Sequence, residues 1–429
     1  MSVLPTVNGA RIDSLDSLRG LAVLGILLMN IIGFGLPMAY EDPSVYGGST
    51  GPDLGVWLAT SLFFEGTMRG LFTLLFGAGV ILFTSRVEAT RPADAADLHV
   101  RRMLWLILFG FVNSHLLLWR GDILYEYGIC GLVLYAFRRT APQKLLVIAI
   151  LLFAGLTVRG AVDYHSLKTL EATAAAAQDA KFSGRDLTPL QAEALDDWRE
   201  ELSHMKPSQE DLQEEIDAIR GSFATAFPVV TDDIFQWRTS FFYQYGFFED
   251  LATMMLGMAL FMTGGLQGRW SSRQYAWLLL GGYGVGVLVN ALEAWAVLSS
   301  GFDPVVNTFN WLVSYELGRV PTTLGHIGLV MLIWKSGWFA GAMQRLAAVG
   351  RMAFTNYLMQ SVIGLLLFTG VGLGLFGQLA RHELYYVVAG IWLLQLLWSP
   401  WWLARYHYGP FEWLWRALTY RQRPAFRRS

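Results

Sequence analysis

The residues able to do chemistry in this sequence are few, and most stand in apolar runs where a polar group needs a reason to be. Of seven histidines, only His115 and His326 fall well inside such runs. His115 precedes an Arg120-Gly121-Asp122 turn and Glu126, whose charges could orient an imidazole and stabilise its protonated form, making His115 a general base. Asp16, Arg19 and Asn30 punctuate another run and fall within a ~60° arc of one helical face. A lipid-facing helix would not align polar groups this way, because each costs free energy in hydrocarbon unless it has a partner. Glu65 and Arg69, Asn290 and Glu293, Asn356 and Gln360, and Glu316 and Arg319 are further pairs at helical spacing. Each could be an interfacial ion pair or a helix-to-helix hydrogen bond. Their number in so apolar a chain points instead to an interior polar cavity, in which Glu65, Arg69, Glu126, Asn290, Glu293, His326 and Asn356 would contact a substrate.

The elements that must position these groups are transmembrane helices. The 429 residues are 54% hydrophobic and 14% aromatic, with a net charge of −2, and the mean hydropathy is +0.39. These values fit an all-α, polytopic transmembrane bundle and not a soluble globule. Stretches long enough for a crossing, ~20 residues, recur about ten times. They lie near 18–38, 56–84, 103–119, 122–137, 143–160, 245–263, 274–297, 320–335, 350–370 and 384–403. The second is overlong, and Gly66-Thr67-Met68-Arg69-Gly70 predicts an interruption there. Counting 1.5 Å per residue, Asn30 and His115 stand ~17 and ~18 Å from one end of their helices, and His326 ~9 Å from the other, so all three reach middle to outer depth.

Arginine and lysine crowd alternate connections, which places both termini in the cytoplasm of a bacterial inner membrane. The N-terminus lacks a small-residue cleavage site and reads as a retained first span. Four parts follow: an N-terminal membrane half (1–160), a polar helical insert expected outside (161–240), a C-terminal membrane half (241–404) and a basic, aromatic tail (405–429). The insert shows helix starts at Thr188-Pro189 and at Ser208 with Asp211. Its apolar positions Leu195, Trp198 and Leu202, then Leu212, Ile216, Ile219 and Phe223, mark amphipathic helices that could cover the outer mouth of the bundle. The tail, with Trp413 and Trp415 among arginines, suits docking at a headgroup interface or bordering the mouth of a site for an anion.

Several chemistries are excluded. The single cysteine, Cys130, rules out an intrachain disulfide and argues against a cysteine metal site. No metal is predicted. The sequence has no Walker loop, HExxH pair, nucleophile elbow or dinucleotide fingerprint. Its basic residues follow the topology pattern, which excludes nucleic acid as a partner. Membrane lipids are expected neighbours, and the sequence leaves a homo-oligomer open.

The run Leu15-Asp16-Ser17-Leu18-Arg19-Gly20-Leu21-Ala22 resembles the opening of type-three membrane acyltransferases and of heparan-α-glucosaminide N-acetyltransferase. A closer resemblance, to the YeiB-like family of bacterial polytopic membrane proteins (domain of unknown function 418), extends through EGTMRGLFTLLFGAG, RGDILYEY, GRMAFTNYLMQS and GPFEWLWR. Glu65 and Arg69 resemble an acid-and-base pair of that family. The acyltransferase resemblance implies an acyl donor, acyl-CoA, on the cytoplasmic side, its phosphates held by Arg86, Arg101, Arg102, Arg138 and Arg139. It also implies an envelope hydroxyl or amine acceptor on a glycan, lipid or small molecule entering from outside. In the type-three enzymes a basic residue on the first helix is followed eleven positions later by a histidine; here Arg19 is followed by Asn30. An amide does not titrate near neutral pH, so Asn30 could only hold an oxyanion or the acyl carbonyl. His115, oriented by Asp122, is then the expected base, and Asp16, Arg19, Asn30 and His115 are expected to border one shared interior cavity. A transporter or exporter of a small polar or amphipathic solute, and a scaffold or sensor without catalysis, are the alternatives.

Overall fold

In the computed structural model, which describes residues 12–38 and 42–428, helices occupy each of the ten apolar segments, and no ladder of strands forms among the described residues. The reading of the N-terminus as a retained segment falls largely on residues 1–11, outside those described. The helices over these segments are α1 (Asp13–Gly35), the pair α2 (Gly51–Phe63) and α3 (Thr67–Thr90), α4 (Ala95–His115), α5 (Leu124–Phe137) and α6 (Pro142–Phe182). In the second half they are α10 (Phe247–Met262), α11 (Ser272–Ser299), α12 (Pro304–Phe309) with α13 (Tyr315–Ser336), α15 (Ala353–Phe368) and α16 (Leu384–Arg405). Six stretches are individually long and apolar enough to cross a bilayer.

α1 forms because an apolar run without proline is preceded by Asp13 and Asp16, acids suited to a helix N-terminus. It stops at Leu36, ahead of Pro37, whose ring disfavours a helical residue before it. It is the buried axle of the bundle, packed by α3, α15, α16 and a further short helix, α14 (Ala340–Arg351). Hydropathy does not mark α14, because Gln344, Arg345 and Arg351 interrupt a run of small residues only twelve long. Gly20 and Gly350 let α1 and α14 touch backbone to backbone: a Cβ on Gly20 would land on the Leu346 carbonyl, and one on Gly350 on that of Asp16. Gly77 and Gly257 do the same for α3 and α10, against Met254 and Leu74, so Gly77 is a packing residue.

The expected interruption of the second segment is present but narrower. α3 resumes at Thr67, and the break is confined to Phe64, Glu65 and Gly66, with Gly66 in the left-handed region at φ +63°. Two more irregularities precede α10 and α13, where Trp237–Gly246 and Asn310–Ser314 are wound as wider π-helical turns.

The insert is helical, as its caps predict. α7 (Pro189–Met205) and α8 (Gln209–Arg220) begin with capping boxes at Thr188 and Ser208. Leu195, Leu212, Ile216 and Ile219 are buried. Phe223 does not continue α8 but opens α9 (Phe223–Gln236), because Ser222 caps a new helix. The expected boundaries at 160/161 and 240/241 fall inside continuous helix: α6 runs for 41 residues, and α9 passes through its π turn into α10.

Arg120 clamps the insert to the bundle, reaching Glu215 of α8 at 2.5 Å and Asp233 of α9 at 3.0 Å. Ile219 adds its carbonyl to the Gly370 amide at 3.0 Å, and Arg220 donates to the Phe376 carbonyl at 2.6 Å. Burial raises the Glu215 and Asp233 carboxyls above their ordinary range, with Arg120 opposing the shift. Replacing Arg120 with alanine leaves two such carboxylates unpaired, a loss on the order of 3–5 kcal/mol for a fully buried pair and less here, since Asp233 is partly exposed. Hydrogen exchange should show faster exchange in α8 and α9 of Arg120→Ala while α1 and α3 remain protected; unchanged exchange in α8 would contradict this clamp.

Candidate functional site

At the level of the three irregular turns, the bundle holds a charged network. Arg69 of α3 donates to Glu249 of α10 at 2.5 Å, and its other terminal nitrogen lies 3.8 Å from Asp250. Arg319 of α13 pairs with the same Glu249 at 3.1 Å and with Glu316 at 2.5 Å. Arg319, Glu249 and Asp250 are almost wholly buried, and neither Asp250 oxygen receives a hydrogen bond. Gly66 makes room for the network: a Cβ there would strike the Tyr315 hydroxyl and the Arg319 side chain.

This network borders a cavity of about 600 Å³ on the insert side. Asn30, Glu65, Arg69, Asp122, Glu126, Glu249 and Glu316 line it together with Trp119, Trp237, Trp311 and Tyr315. Asp122 accepts from Asn113 Nδ2 at 2.8 Å and from the Tyr125 amide at 3.0 Å. Glu126 accepts from the Trp237 indole at 3.0 Å.

A second cavity, about 340 Å³, opens at the arginine-rich end. Asp16, Arg19, Arg86, His99, Arg102, Arg351, His407, Glu412 and Arg416 line it. The tail forms part of its wall through α17 (Pro410–Tyr420), where Glu412 accepts from the Thr355 amide at 2.9 Å and the Trp415 indole donates to the Arg102 carbonyl at 3.0 Å. The Arg102 guanidinium lies between two aromatic rings, 3.9 Å from the centroid of Trp415 and 4.7 Å from that of Phe83.

The two cavities approach each other at the first turn of α5. Ile123 and Glu126 face the insert-side cavity, whereas Leu124 and Tyr127 face the arginine-side one. Between them lies an aromatic layer in which Phe72 stacks on Tyr127 and Tyr357. Its hydroxyls are held: Tyr127 by Thr73, and Tyr357 by the Trp119 indole at 3.2 Å and the Ile123 amide at 3.3 Å.

The expectation of one cavity bordered by Asp16, Arg19, Asn30 and His115 is corrected. Asp16 and Arg19 line the arginine-side cavity and Asn30 the insert-side one. A shared face does not imply a shared depth, since fourteen residues of helix separate Asp16 from Asn30 by ~21 Å. His115 lines neither cavity. Its ring stacks on Phe111 and its Nδ1 donates to the Phe111 carbonyl at 3.1 Å, because the adjacent Asn113 and Ser114 take the buried face of α4. Of the expected donor arginines, Arg86 and Arg102 face a cavity. Arg101 is held by Asp97 and the Thr419 carbonyl, and Arg138 and Arg139 by Glu88.

His326 donates to the Phe63 carbonyl at 2.7 Å and accepts from Tyr283 at 2.6 Å, closing the α2–α3 break against α11 and α13. Asn290 donates to the Leu62 carbonyl at 2.9 Å. Asn356 binds the Val349 carbonyl, Ser399 and Trp398. These three join helices. Glu293 lies with Glu65 and Arg319 on a smaller cavity of about 80 Å³. Sequence reasoning missed Glu249 and Asp250, although two adjacent carboxylates in an apolar run were a visible signal. It also missed Arg351, Arg416 and His99.

Arg319→Ala would strand Glu316 and leave Glu249 to Arg69 alone, and should lower stability by about 3–5 kcal/mol, seen as a large fall in melting temperature in detergent. His115→Ala should stay within about 0.5 kcal/mol of the wild type, because its ring contacts are peripheral. Equal melting temperatures for the two variants would refute this ranking.

Residues 236–422 match the family model described as "Protein of unknown function (DUF418)". The chain is 33% identical over 415 residues to the uncharacterized protein YeiB of Escherichia coli K12, spanning 95% of this chain and 96% of that one. It is 28% identical to the uncharacterized protein YxaH of Bacillus subtilis, spanning 98% and 96% of the two chains. An uncharacterized 39.9 kDa protein in the amylase 3′ region of Bacillus acidopullulyticus is 25% identical over 98% of this chain and 96% of its own length. No solved structure matches. With a relative 33% identical along almost the whole of both chains, the protein belongs to the YeiB-like DUF418 family.

Proposed function

We propose that the chain crosses a bacterial cytoplasmic membrane ten times, with both termini and the arginine-side cavity cytoplasmic and the insert outside, and that it transfers an acyl group from acyl-CoA to an envelope acceptor. The observation that carries this reading is the pair of cavities of opposite character, approaching each other from two sides of the aromatic layer at the first turn of α5. Arginines suit the phosphates of the donor, and Arg19, Arg86, Arg102, Arg351 and Arg416 converge where its nucleotide would sit. The acceptor would occupy the insert-side cavity. Glu126 takes the role first expected of His115: it receives the proton of the acceptor hydroxyl or amine as that atom bonds to the acyl carbon. The carbon–sulfur bond breaks, and the thiolate leaves toward the arginines and takes up a proton. Asn30 faces the same cavity and can hold the acyl carbonyl as charge develops.

A transporter is the second reading, favoured by the buried Arg69–Glu249–Arg319–Glu316 network beside three irregular helices. Such charges inside spans mark solute or proton pathways in other membrane proteins.

Impermeant thiol labelling tests orientation: Ser203→Cys should label in intact cells and Ala425→Cys only after lysis. The reverse order would overturn the topology. Purified protein should bind labelled acetyl-CoA, and Arg102→Ala should weaken that binding by about 10- to 100-fold, the value of a lost charge-assisted contact. Glu126→Gln should retain donor binding but lose transfer by ~10²–10⁴-fold. No binding of acetyl-CoA, with solute flux in proteoliposomes, would decide for transport.

A further inference from the structure

The insert-side cavity is lined by more carboxyl groups than guanidiniums. Its lining guanidiniums are already engaged: Arg69 by Glu249 and Asp250, Arg120 by Glu215 and Asp233. Asp122 and Glu126, by contrast, form no ion pair among the described residues: their hydrogen bonds come from neutral donors, an asparagine amide and a backbone N–H for the one and an indole N–H for the other, while the nearby Arg238 is turned over the Tyr125 ring and donates to Ser114. Both are about 95% buried, and both line the cavity. Glu126 takes its hydrogen bond from the Trp237 indole through one oxygen, and the residue lines the open space. A carboxylate so buried is stable in its charged form only opposite a cation or several donors.

The surrounding walls are aromatic. Trp119, Trp237, Phe241, Trp311 and Tyr315 border the same space. Ring faces beside carboxylates attract a cation twice, through the ring quadrupole and through direct charge, and do nothing comparable for a neutral hydroxyl or an anion.

We infer that the insert-side cavity binds an organic ammonium group, with Glu126 and Asp122 as its counter-charges and the tryptophans as its walls. This deepens the acceptor site proposed above by naming its chemical class, and it rests on that reading only for the use made of the ligand; the binding itself requires no acyl donor.

Three probes with the same phenethyl group and different charge test it: radiolabelled phenethylamine, phenethyl alcohol and 3-phenylpropanoate, measured by scintillation proximity on the full-length protein in a non-ionic detergent. Phenethylamine should bind saturably and about tenfold or more tightly than the alcohol or the acid. Glu126→Gln should weaken the amine about tenfold and leave the alcohol nearly unchanged, so that selectivity disappears. Glu126→Asp keeps the charge and should keep the selectivity, and Asp122→Asn tests the second carboxylate separately. The exposed Arg199→Ala on α7 is the control and should bind as wild type. Equal affinity for the amine and the alcohol, preference for the acid, amine binding indifferent to both carboxylate changes, or saturable binding by none of the three would each overturn the inference. Failure here is separable from failure of the transferase reading. Amine binding without acetyl-CoA binding removes only the transferase, whereas acyl transfer to alcohols without amine selectivity removes only this inference.

Discussion

The bundle is organised by the need to keep charge inside an apolar protein. Arg319 and Glu249 are nearly inaccessible, and an isolated ion there would cost several kcal/mol even after relaxation. Each is tolerated because the other, with Arg69 and Glu316, lies within ion-pair distance. That requirement ties α3, α10 and α13 at one level, and each departs from regular helix immediately before it delivers its charges. The left-handed Gly66 precedes Arg69, the π turn ending at Gly246 precedes Glu249 and Asp250, and the π turn ending at Ser314 precedes Glu316 and Arg319. Irregular backbone inside a membrane bundle needs polar partners. Here His326 and Asn290 supply them, binding the carbonyls of Phe63 and Leu62 that the α2–α3 break releases.

The same logic explains the layer between the two cavities. Tyr127 and Tyr357 are fully buried, yet their hydroxyls are met by Thr73, Trp119 and the Ile123 amide. A hydrogen-bonded aromatic layer is stiffer than an aliphatic one, since sliding any ring breaks a bond as well as a contact. It therefore fixes where the cavities end. α5 is short, 14 residues, and its first turn presents consecutive side chains to opposite spaces.

Much of this was legible in the sequence, and the misplaced residues of α1 and α4 share one cause. Hydropathy placed the helices, and Thr188 and Ser208 announced α7 and α8 through capping boxes that the structure contains. The polar face of α1 was read correctly as facing inward. Depth and rotation were harder. Asp16, Arg19 and Asn30 share a face but serve two cavities, while His115 has a plausible depth and the wrong rotation, its ring lying against Phe111. A single helix specifies its own polar stripe; which space that stripe borders is set by neighbours whose rotation the sequence leaves free. α14 escaped notice because its twelve residues bury only one face. Glu249 and Asp250 escaped although their position in an apolar run marked them.

The charge asymmetry of the two cavities constrains any function more tightly than the identity of one residue does. On the arginine side, cations gather around a space whose acids are Asp16 and Glu412; on the other, carboxylates gather around a space whose guanidiniums are already paired. Low dielectric on either side of the aromatic layer strengthens both fields relative to water. An anionic ligand is thereby favoured at one end and a cationic one at the other, and each is disfavoured at the far end. A conduit for one solute would meet a reversal of sign halfway, whereas two reactants of opposite charge would be drawn to the same layer from opposite ends. That reversal, and not the titratable groups taken one by one, is what supports the proposal of two ligands approaching α5 over one ligand passing through it.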